Sequence, residues 1–484
     1  MVTARLHERV KLLRRLARAN YGLSSSQFFD SNWYRERYPD VALSRLTSWS
    51  HFIRYGVWEN RQMASWEIDQ WFDDSVLDSV SEQYRSRFNQ MGTIERQHIC
   101  WSLARRMASA CEWGKARALI EESGIVDELL NIRDPSKVPY GFQPLLLWLD
   151  ICRHLGLDHG DRLNGDHLSQ CSDLSLALAS WAKSPDEWSK LVSSLYVANG
   201  LSPIEATSLS FDSLQSSCEH TTQGPLVSVL IPAHNACETI EVALKSLMNQ
   251  TYRSLEILVI DDSSSDDTAD VVKSLQEVDP RIKLLSQVKQ AGTYRARNMG
   301  LAQSTGELIT VHDADDWSHP EKLERQVALL WKSPDLKGCF SSWARLSNAL
   351  TFGGWSNPSN WLGWVHNNSS SFMFRRSVFK QLGYWDEVRC NGDVEYIERV
   401  KAVWGALSVE TVMAKVPLSF GRAHSASLTM QKETSILTAL KGLRRDYRLA
   451  YEAWHRSAKS ASDLYLSQSP KQRPFDIPKA MLPE

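Results

Sequence analysis

The feature that most constrains this chain is an abrupt change of hydrophobic period near residue 227. Upstream, apolar residues recur mostly at helical spacing; from Val227 onward, short apolar runs alternate with helical stripes. Residues 227–231, 255–260, 282–285 and 308–311 read as buried strands. Ile240, Leu244 and Leu247 stripe one helix; Val271, Leu275 and Val278 stripe a second. Residues 295–302 read as a third, and Pro320-Glu321 opens a fourth carrying Leu323, Val327 and Leu330. Strands alternating with helices predict an α/β domain with a parallel, doubly wound sheet. Such sheets bind ligands beyond the carboxyl ends of their strands.

Around that domain the chain divides into 1–62, a basic helix plus a small aromatic-rich helical module; 63–222, a mostly α-helical scaffold and linker; 223–430, the α/β domain; and 431–484, a helical tail. In the first region Arg5, Arg9, Lys11, Arg14, Arg15 and Arg18 surround Leu6, Val10, Leu13 and Ala17 at helical spacing. Such a helix suits an anionic surface or plain solvent. In the second, Ser184-Pro185-Asp186-Glu187 and Ser202-Pro203-Ile204-Glu205 each predict a capped helix start with proline in the first turn. The Ser- and Thr-rich stretch 206–224 reads as a linker. In the tail, Leu437, Leu440, Leu443 and Tyr447 make a stripe flanked by Lys441, Arg444, Arg445 and Arg448, suited to packing back or to a membrane surface.

Composition excludes several classes. Lys plus Arg is 55 against 57 Asp plus Glu, a formal net charge of −2, which argues against a nucleic-acid binder. The eight cysteines are scattered, with no CxxC pair, so neither a zinc ribbon nor a disulfide framework is signalled. A reducing, cytoplasmic setting is expected. No apolar run approaches the roughly 18 residues of a membrane span.

Two acidic clusters follow predicted strands: Asp261-Asp262 and Asp313-Ala314-Asp315-Asp316. At one sheet edge they repel unless something positive lies between them. A divalent cation on phosphate oxygens meets that need, and oxygen ligands suit Mg2+ or Mn2+. Helix capping would explain one carboxylate of the second cluster and leave two. With neither GxGxxG nor GxxxxGK[ST] present, a phosphate site must use side-chain charge. Arg297 is the candidate, while Arg295 reads as a surface residue.

These residues carry a resemblance. Val229-Leu230-Ile231-Pro232-Ala233-His234-Asn235, Gln250-Thr251-Tyr252, Val259-Ile260-Asp261-Asp262, Ala296-Arg297-Asn298 and Asp313-Ala314-Asp315-Asp316-Trp317 look like family 2 glycosyltransferases of the GT-A fold. The likeness covers about residues 226–430 and implies a mixed, mainly parallel sheet flanked by helices. It implies inverting transfer of a sugar from a nucleotide-diphosphate donor, a UDP-sugar first, to a hydroxyl of a glycan or lipid-linked glycan acceptor in bacterial surface-polysaccharide (capsule or O-antigen) assembly. By resemblance, Pro232, His234, Asn235 and Asp262 line the donor's nucleoside, with His234 where the family usually has Tyr. Asp313 matches the diphosphate motif, and Asp315 or Asp316 would ligate the Mn2+ or Mg2+ ion. Gly383-Tyr384-Trp385-Asp386 followed by Gly392-Asp393 resembles the acceptor block, making Asp393 the general base; helix capping by Asp393 is compatible with that role. Glu395 would share the site only if the segment is helical. Arg422 would contact phosphate and His424 could be a third metal ligand. Trp355, Trp361, Trp364 and His366 suit either an acceptor's sugar faces or ordinary packing. The aromatic phrases of residues 29–56 resemble a short module found beside polysaccharide-assembly glycosyltransferases. A lipid-linked acceptor would make peripheral association with the cytoplasmic membrane face useful. The alternatives are a non-catalytic nucleotide- or partner-binding scaffold, and a nucleotidyltransferase, which would want a Gly-x-Gly-x-Arg loop after the first strand.

Overall fold

The computed structural model describes residues 31–38, 111–131, 143–157, 171–353, 363–423, 442–468 and 472–483, with single positions between them. The basic helix of residues 5–18, most of the aromatic module, Trp355, Trp361, His424, Leu437 and Leu440 lie outside the described residues. The chain divides into two compact units, residues 1–170 and 171–484. The first contains helices α1 (Ser31–Arg37), α2 (Trp113–Glu122), α3 (Ile125–Leu130) and α4 (Gln143–Leu155). Helix α4 buries the Leu145, Leu146, Leu147, Leu149 and Ile151 side chains completely. Its buried Asp150 is paired with Arg153 at 2.9 Å, and the ring of Trp113 stacks on His154 with centroids 3.8 Å apart. Among the described residues no helix is long and apolar enough to cross a membrane.

The second unit opens with α5 (Ser172–Ala179) and α6 (Pro185–Ala198), followed by a small hairpin of β1 (Glu205–Ala206) and β2 (Leu214–Gln215). The α/β alternation follows: β3 (Val227–Ala233), α7 (Ile240–Met248), β4 (Leu255–Asp261), α8 (Thr268–Val278), β5 (Ile282–Ser286), α9 (Thr293–Gln303), β6 (Leu308–Val311), β7 (Trp317–Ser318) and α10 (Lys322–Lys332). The remainder is β8 (Gly338–Ser347), β9 (Phe352–Gly353), β10 (His366–Asn367), β11 (Met373–Arg375), α11 (Arg376–Leu382), α12 (Gly392–Trp404), β12 (Val409–Ala423) and α13 (Leu443–Ser457). The main sheet runs β5-β4-β3-β6-β11-β8-β12-β7. Its β5-β4-β3-β6 half is parallel; β11 then pairs antiparallel with both β6 and β8. Strand β12 runs parallel to β8, with register shifts around Pro417, which has no N–H to give the ladder.

All seven β4 residues are buried because helices cover both faces of the parallel half. One face carries Ile240, Leu244 and Leu247 of α7; the other carries Ala296 and Leu301 of α9. Gly300 sets how closely α9 lies on the sheet, since a Cβ there would meet the Ile260 side chain at 2.6 Å. That close seat puts the amino end of α9 at the carboxyl edge of the strands.

Three expectations need correction. Ser184 caps α6, accepting the Glu187 N–H at 3.2 Å, but Ser202-Pro203-Ile204-Glu205 starts no helix. The Ser202 N–H and hydroxyl instead donate to Glu321, at 2.8 and 3.0 Å, and the chain runs extended into β1. Tertiary partners outbid the local capping pattern. Second, residues 206–224 are not a bare linker, because Phe211 is fully buried and the β1–β2 hairpin is docked. Helix α6 holds the start of this region through Ser189 Oγ, which accepts the Ala206 N–H at 2.9 Å, and is itself tied to the sheet by Trp188 Nε1, 3.0 Å from the Leu350 carbonyl, and Tyr196 Oη, 2.5 Å from that of Pro417. Third, Val278 ends the α8 stripe exposed rather than buried. The apolar stripe of α13 is spent internally: Tyr447, Tyr451 and Trp454 are buried in the cluster that holds Trp385 and Tyr396.

Candidate active site

The site forms where β3, β4 and β6 end. Pro232, near the end of β3, is half-buried, and His234 and Asn235, just after it, are exposed. Asn235 adopts φ +48°, a left-handed conformation that asparagine tolerates. Its Oδ1 accepts the Ser265 N–H at 2.8 Å, and its N–H donates to Ser264 Oγ at 2.9 Å. The loops after β3 and β4 are thereby zipped together. His234 Nδ1 lies 2.9 Å from the Asp262 carbonyl oxygen; a carbonyl only accepts, so Nδ1 carries the proton.

Asp262 is buried. Its two carboxylate oxygens accept the N–H groups of Ala291 and Gly292, each at 2.8 Å. The carboxylate thus holds the loop that starts α9, and each oxygen retains a lone-pair direction for a further donor.

The third cluster follows β6. Asp313 accepts from Arg297 Nη2 at 3.0 Å and from the Ser370 hydroxyl at 2.6 Å. Burial alone would raise its pKa, but the Arg297 guanidinium and the Ser370 hydroxyl hold the carboxyl below its ordinary value. Asp316 lies deeper, 3% exposed. Burial, followed by the charges of Asp315 and Asp313, pushes its carboxyl well above the usual carboxylate range. Buried Lys322 is pushed down to about 8 by desolvation despite those aspartates, and its ammonium donates to Ser318 Oγ at 3.0 Å. His312 is pushed down to about 3 by burial and by Lys322, and is neutral. Asp313, Asp315 and Asp316 thus stand together at the end of β6, a set of carboxylate oxygens that suits a divalent cation.

Arg422 reaches the same place from β12. Its N–H lies 3.3 Å from Asp316 Oδ1, and its Nε lies 3.3 Å from the Asp315 carbonyl oxygen. The guanidinium also donates to Asn348 Oδ1 at 2.9 Å and to Asp212 Oδ1 at 2.5 Å, and lies 4.1 Å over the Phe211 ring. Neither Asp212 nor Asn348 stands out in the sequence; both act across the fold.

Asp393 sits in the first turn of α12, behind Asn391, which has φ +68°. Gly392 fits because a Cβ there would come to 3.0 Å from both the Asp386 carbonyl oxygen and the Tyr294 ring. Asp393 Oδ1 accepts the Val394 N–H at 2.9 Å and the Tyr294 hydroxyl at 2.9 Å. Tyr294 lies three residues before Arg297 on α9, and that guanidinium sits 5.2 Å over its ring. One helical face therefore touches both Asp313 and Asp393. The i, i+3 spacing is the signal that sequence reading passed over.

Other expected residues serve the fold. Glu395 is helical yet turned into the core, fully buried between Arg399 at 3.0 Å and His455 at 2.9 Å. Trp364 is 1% exposed, with its N–H on Asp173, so packing is its role. His366 Nε2 accepts from Trp343 Nε1 at 3.0 Å. A separate metal-capable group, His220, Glu321 and Glu324, has ligand atoms within 4.8 Å of one another. Glu321 is engaged by Ser202 and Arg325 and Glu324 by Thr251 and His220, so this group reads as a structural network.

Residues 228–383 match the family described as "Glycosyl transferase family 2". The GalNAc(5)-diNAcBac-PP-undecaprenol beta-1,3-glucosyltransferase of Campylobacter jejuni is 46% identical over 93 residues, 19% of this chain and 30% of that protein. The Escherichia coli UDP-Glc:alpha-D-GlcNAc-diphosphoundecaprenol beta-1,3-glucosyltransferase WfgD is 41% identical over 108 residues, 22% of this chain and 42% of that protein. The probable glycosyltransferase YdaM of Bacillus subtilis is 32% identical over 207 residues, 38% of this chain and 48% of that protein. The matches span less than half the length of each of these relatives. Parallel strands ending in paired aspartates, an arginine on the following helix and the match over 228–383 lead to one assignment: this segment is a glycosyltransferase family 2 domain.

Proposed function

We propose that the chain is an inverting glycosyltransferase that moves a sugar from a nucleoside-diphosphate donor to a hydroxyl of a glycan or lipid-linked glycan. The observation that carries the reading is the two-ended face of α9, which joins the Asp313 carboxylate to Asp393 through Arg297 and Tyr294. The donor's nucleoside lies at Pro232, His234, Asn235 and Asp262, its diphosphate toward Asp313, Arg297 and Arg422. By the family resemblance Asp315 and Asp316, with His424, would hold Mn2+ or Mg2+, and such an ion would supply neutralisation of the departing diphosphate.

Asp393 takes the proton of the acceptor hydroxyl as that oxygen bonds to the anomeric carbon. The bond from that carbon to the phosphate oxygen breaks on the opposite face, so configuration inverts and the nucleoside diphosphate leaves. Asp393 is a half-buried carboxylate that can serve as the single base such a displacement needs. Arg297 supplies fixed positive charge near the leaving group.

A UDP-sugar is the first donor to test, since WfgD is named for UDP-Glc. Both glucosyltransferases named above carry a diphosphoundecaprenol acceptor in their names, which supports a lipid-linked acceptor and a role in surface polysaccharide. We place the protein in the cytoplasm, peripheral on the cytoplasmic face of the inner membrane, where a lipid-linked acceptor would lie. Transfer is assigned to residues 223–430, with 63–222 as a mostly helical scaffold and 431–484 as supporting tail.

Thermal unfolding with UDP, GDP, CDP and dTDP, each with and without manganese, tests the donor reading. A ligand at 100 times its Kd adds about 2.7 kcal/mol of stability. The expected result is a manganese-dependent rise with UDP; no rise with any nucleotide overturns the reading in favour of a scaffold.

A further inference from the structure

We infer that Tyr294 is a positioning residue for Asp393: its hydroxyl fixes Oδ1 of that carboxylate and leaves Oδ2 to receive the acceptor proton. The inference rests on the proposed role of Asp393 as base. Oδ1 already takes two donors, the Tyr294 hydroxyl and the Val394 N–H, both at 2.9 Å. Among the described residues no donor is recorded on Oδ2. Two donors on one oxygen restrict rotation about the Cβ–Cγ bond, so the second oxygen keeps one direction.

Tyr294 is suited to hold this bond throughout the working pH range. Burial, reinforced by the Asp393 charge, keeps its phenol well above the ordinary value, so it remains a donor. The ring is clamped in turn. It is 5% exposed, one edge lies against Gly392, and the Arg297 guanidinium lies 5.2 Å from its centroid. Because Arg297 is also bound to Asp313 at 3.0 Å, the orientation of the base is coupled to the carboxylate assigned to the donor diphosphate. The other charged or titratable groups around Asp393 are Arg297 on α9 and Cys390 before α12. Arg444 of α13 reaches the neighbouring Asn391 at 3.1 Å.

The test is Tyr294→Phe in the full chain, which keeps the ring beneath Arg297 and deletes one hydroxyl. Protein labelled with 13C at the aspartate carboxyl is titrated by NMR, the Asp393 signal being identified by its loss in Asp393→Asn. UDP release from UDP-glucose with manganese is followed alongside. A donor to a carboxylate favours its charged form, so the Asp393 midpoint moves to higher pH in Tyr294→Phe. We expect kcat to fall about tenfold, equivalent to about 1.4 kcal/mol, with the KM for UDP-glucose within about twofold of wild type. A residue that only fills space leaves the midpoint where it was. An unmoved midpoint, or a moved midpoint with unchanged kcat, overturns the inference. Retained turnover in Asp393→Asn overturns the base assignment instead, and the two failures are distinguished because the titration needs no turnover.

Discussion

The two halves of the main sheet reach their chemistry by different routes. In the parallel half, each functional loop continues directly from a strand that precedes it by a few residues: His234 from β3, Asp262 from β4, Asp313 from β6. In the mixed half, Asp393 is set by Tyr294, 99 residues away, and Arg422 is set by Asp212, 210 residues away. The first arrangement follows from local hydrophobic pattern. The second exists only once the chain has closed. The parallel half is therefore set by local pattern, and the mixed half by contacts between distant residues.

The sharpest way to break this comparison is Asp393→Asn, which removes the acceptor-side carboxylate and keeps its shape. Transfer should fall by about 10²–10⁴-fold, the usual contribution of a positioned base. Calorimetry with the nucleotide that raises the melting point should give a Kd within about twofold of wild type. A large loss of nucleotide affinity would show that the halves are not separable.

Asp316→Asn probes the other side and acts on stability. Because the folded state raises the pKa of this carboxyl, the folded protein holds a proton that the unfolded chain has released. Stability from this group is full below the unfolded pKa and is lost as pH rises toward the folded value. Removing the ionisable group should therefore raise the melting point at pH 7 without metal by a few degrees, on the order of 1 kcal/mol. The same variant should lose the manganese-dependent rise. Asp313 has the opposite sign: its depressed pKa stabilises above the unfolded value and is lost as pH falls through the folded one. A melting curve of the variant that matches wild type at pH 7, with and without manganese, would remove Asp316 from the cluster argument.

The smallest effect is expected from Asp212→Ala. Its carboxylate is 55% exposed, and such ion pairs contribute about 0–1 kcal/mol. The melting point should hardly move. Freed from Asp212, the Arg422 guanidinium should bind nucleoside diphosphate about two- to fivefold more tightly by calorimetry. Unchanged affinity would mean that Arg422 serves the fold and not the phosphate.

Most of the parallel half was legible in the sequence because its strands are short, uninterrupted apolar runs and its carboxylates follow at once. Asp313, Asp315 and Asp316 drew notice as one cluster too acidic for capping alone. The burial of Glu395 against Arg399 and His455 was not legible, since both its orientation and its partner on α13 depend on packing. Tyr294 is a core aromatic whose hydroxyl has a further partner 99 residues away, which no local pattern marks. Residues 202–216 misled because serine, proline and glutamate spell a helix start, and serine-rich composition a tether. Glu321, 119 residues from Ser202, decides the matter.

The docking of α6 bears on how the catalytic segment can be isolated. Trp188 and Tyr196 belong to an aromatic cluster with Phe352 and Phe420, with ring centroids 6.0–6.5 Å apart in their contacts. A truncation starting at the apparent edge of the α/β alternation would strip two large rings from that cluster and leave the opposite wall wet. Such a fragment should be prone to self-association. A fragment beginning at Cys171 keeps the wall closed, and is the shorter piece to be expected to stay in solution by itself.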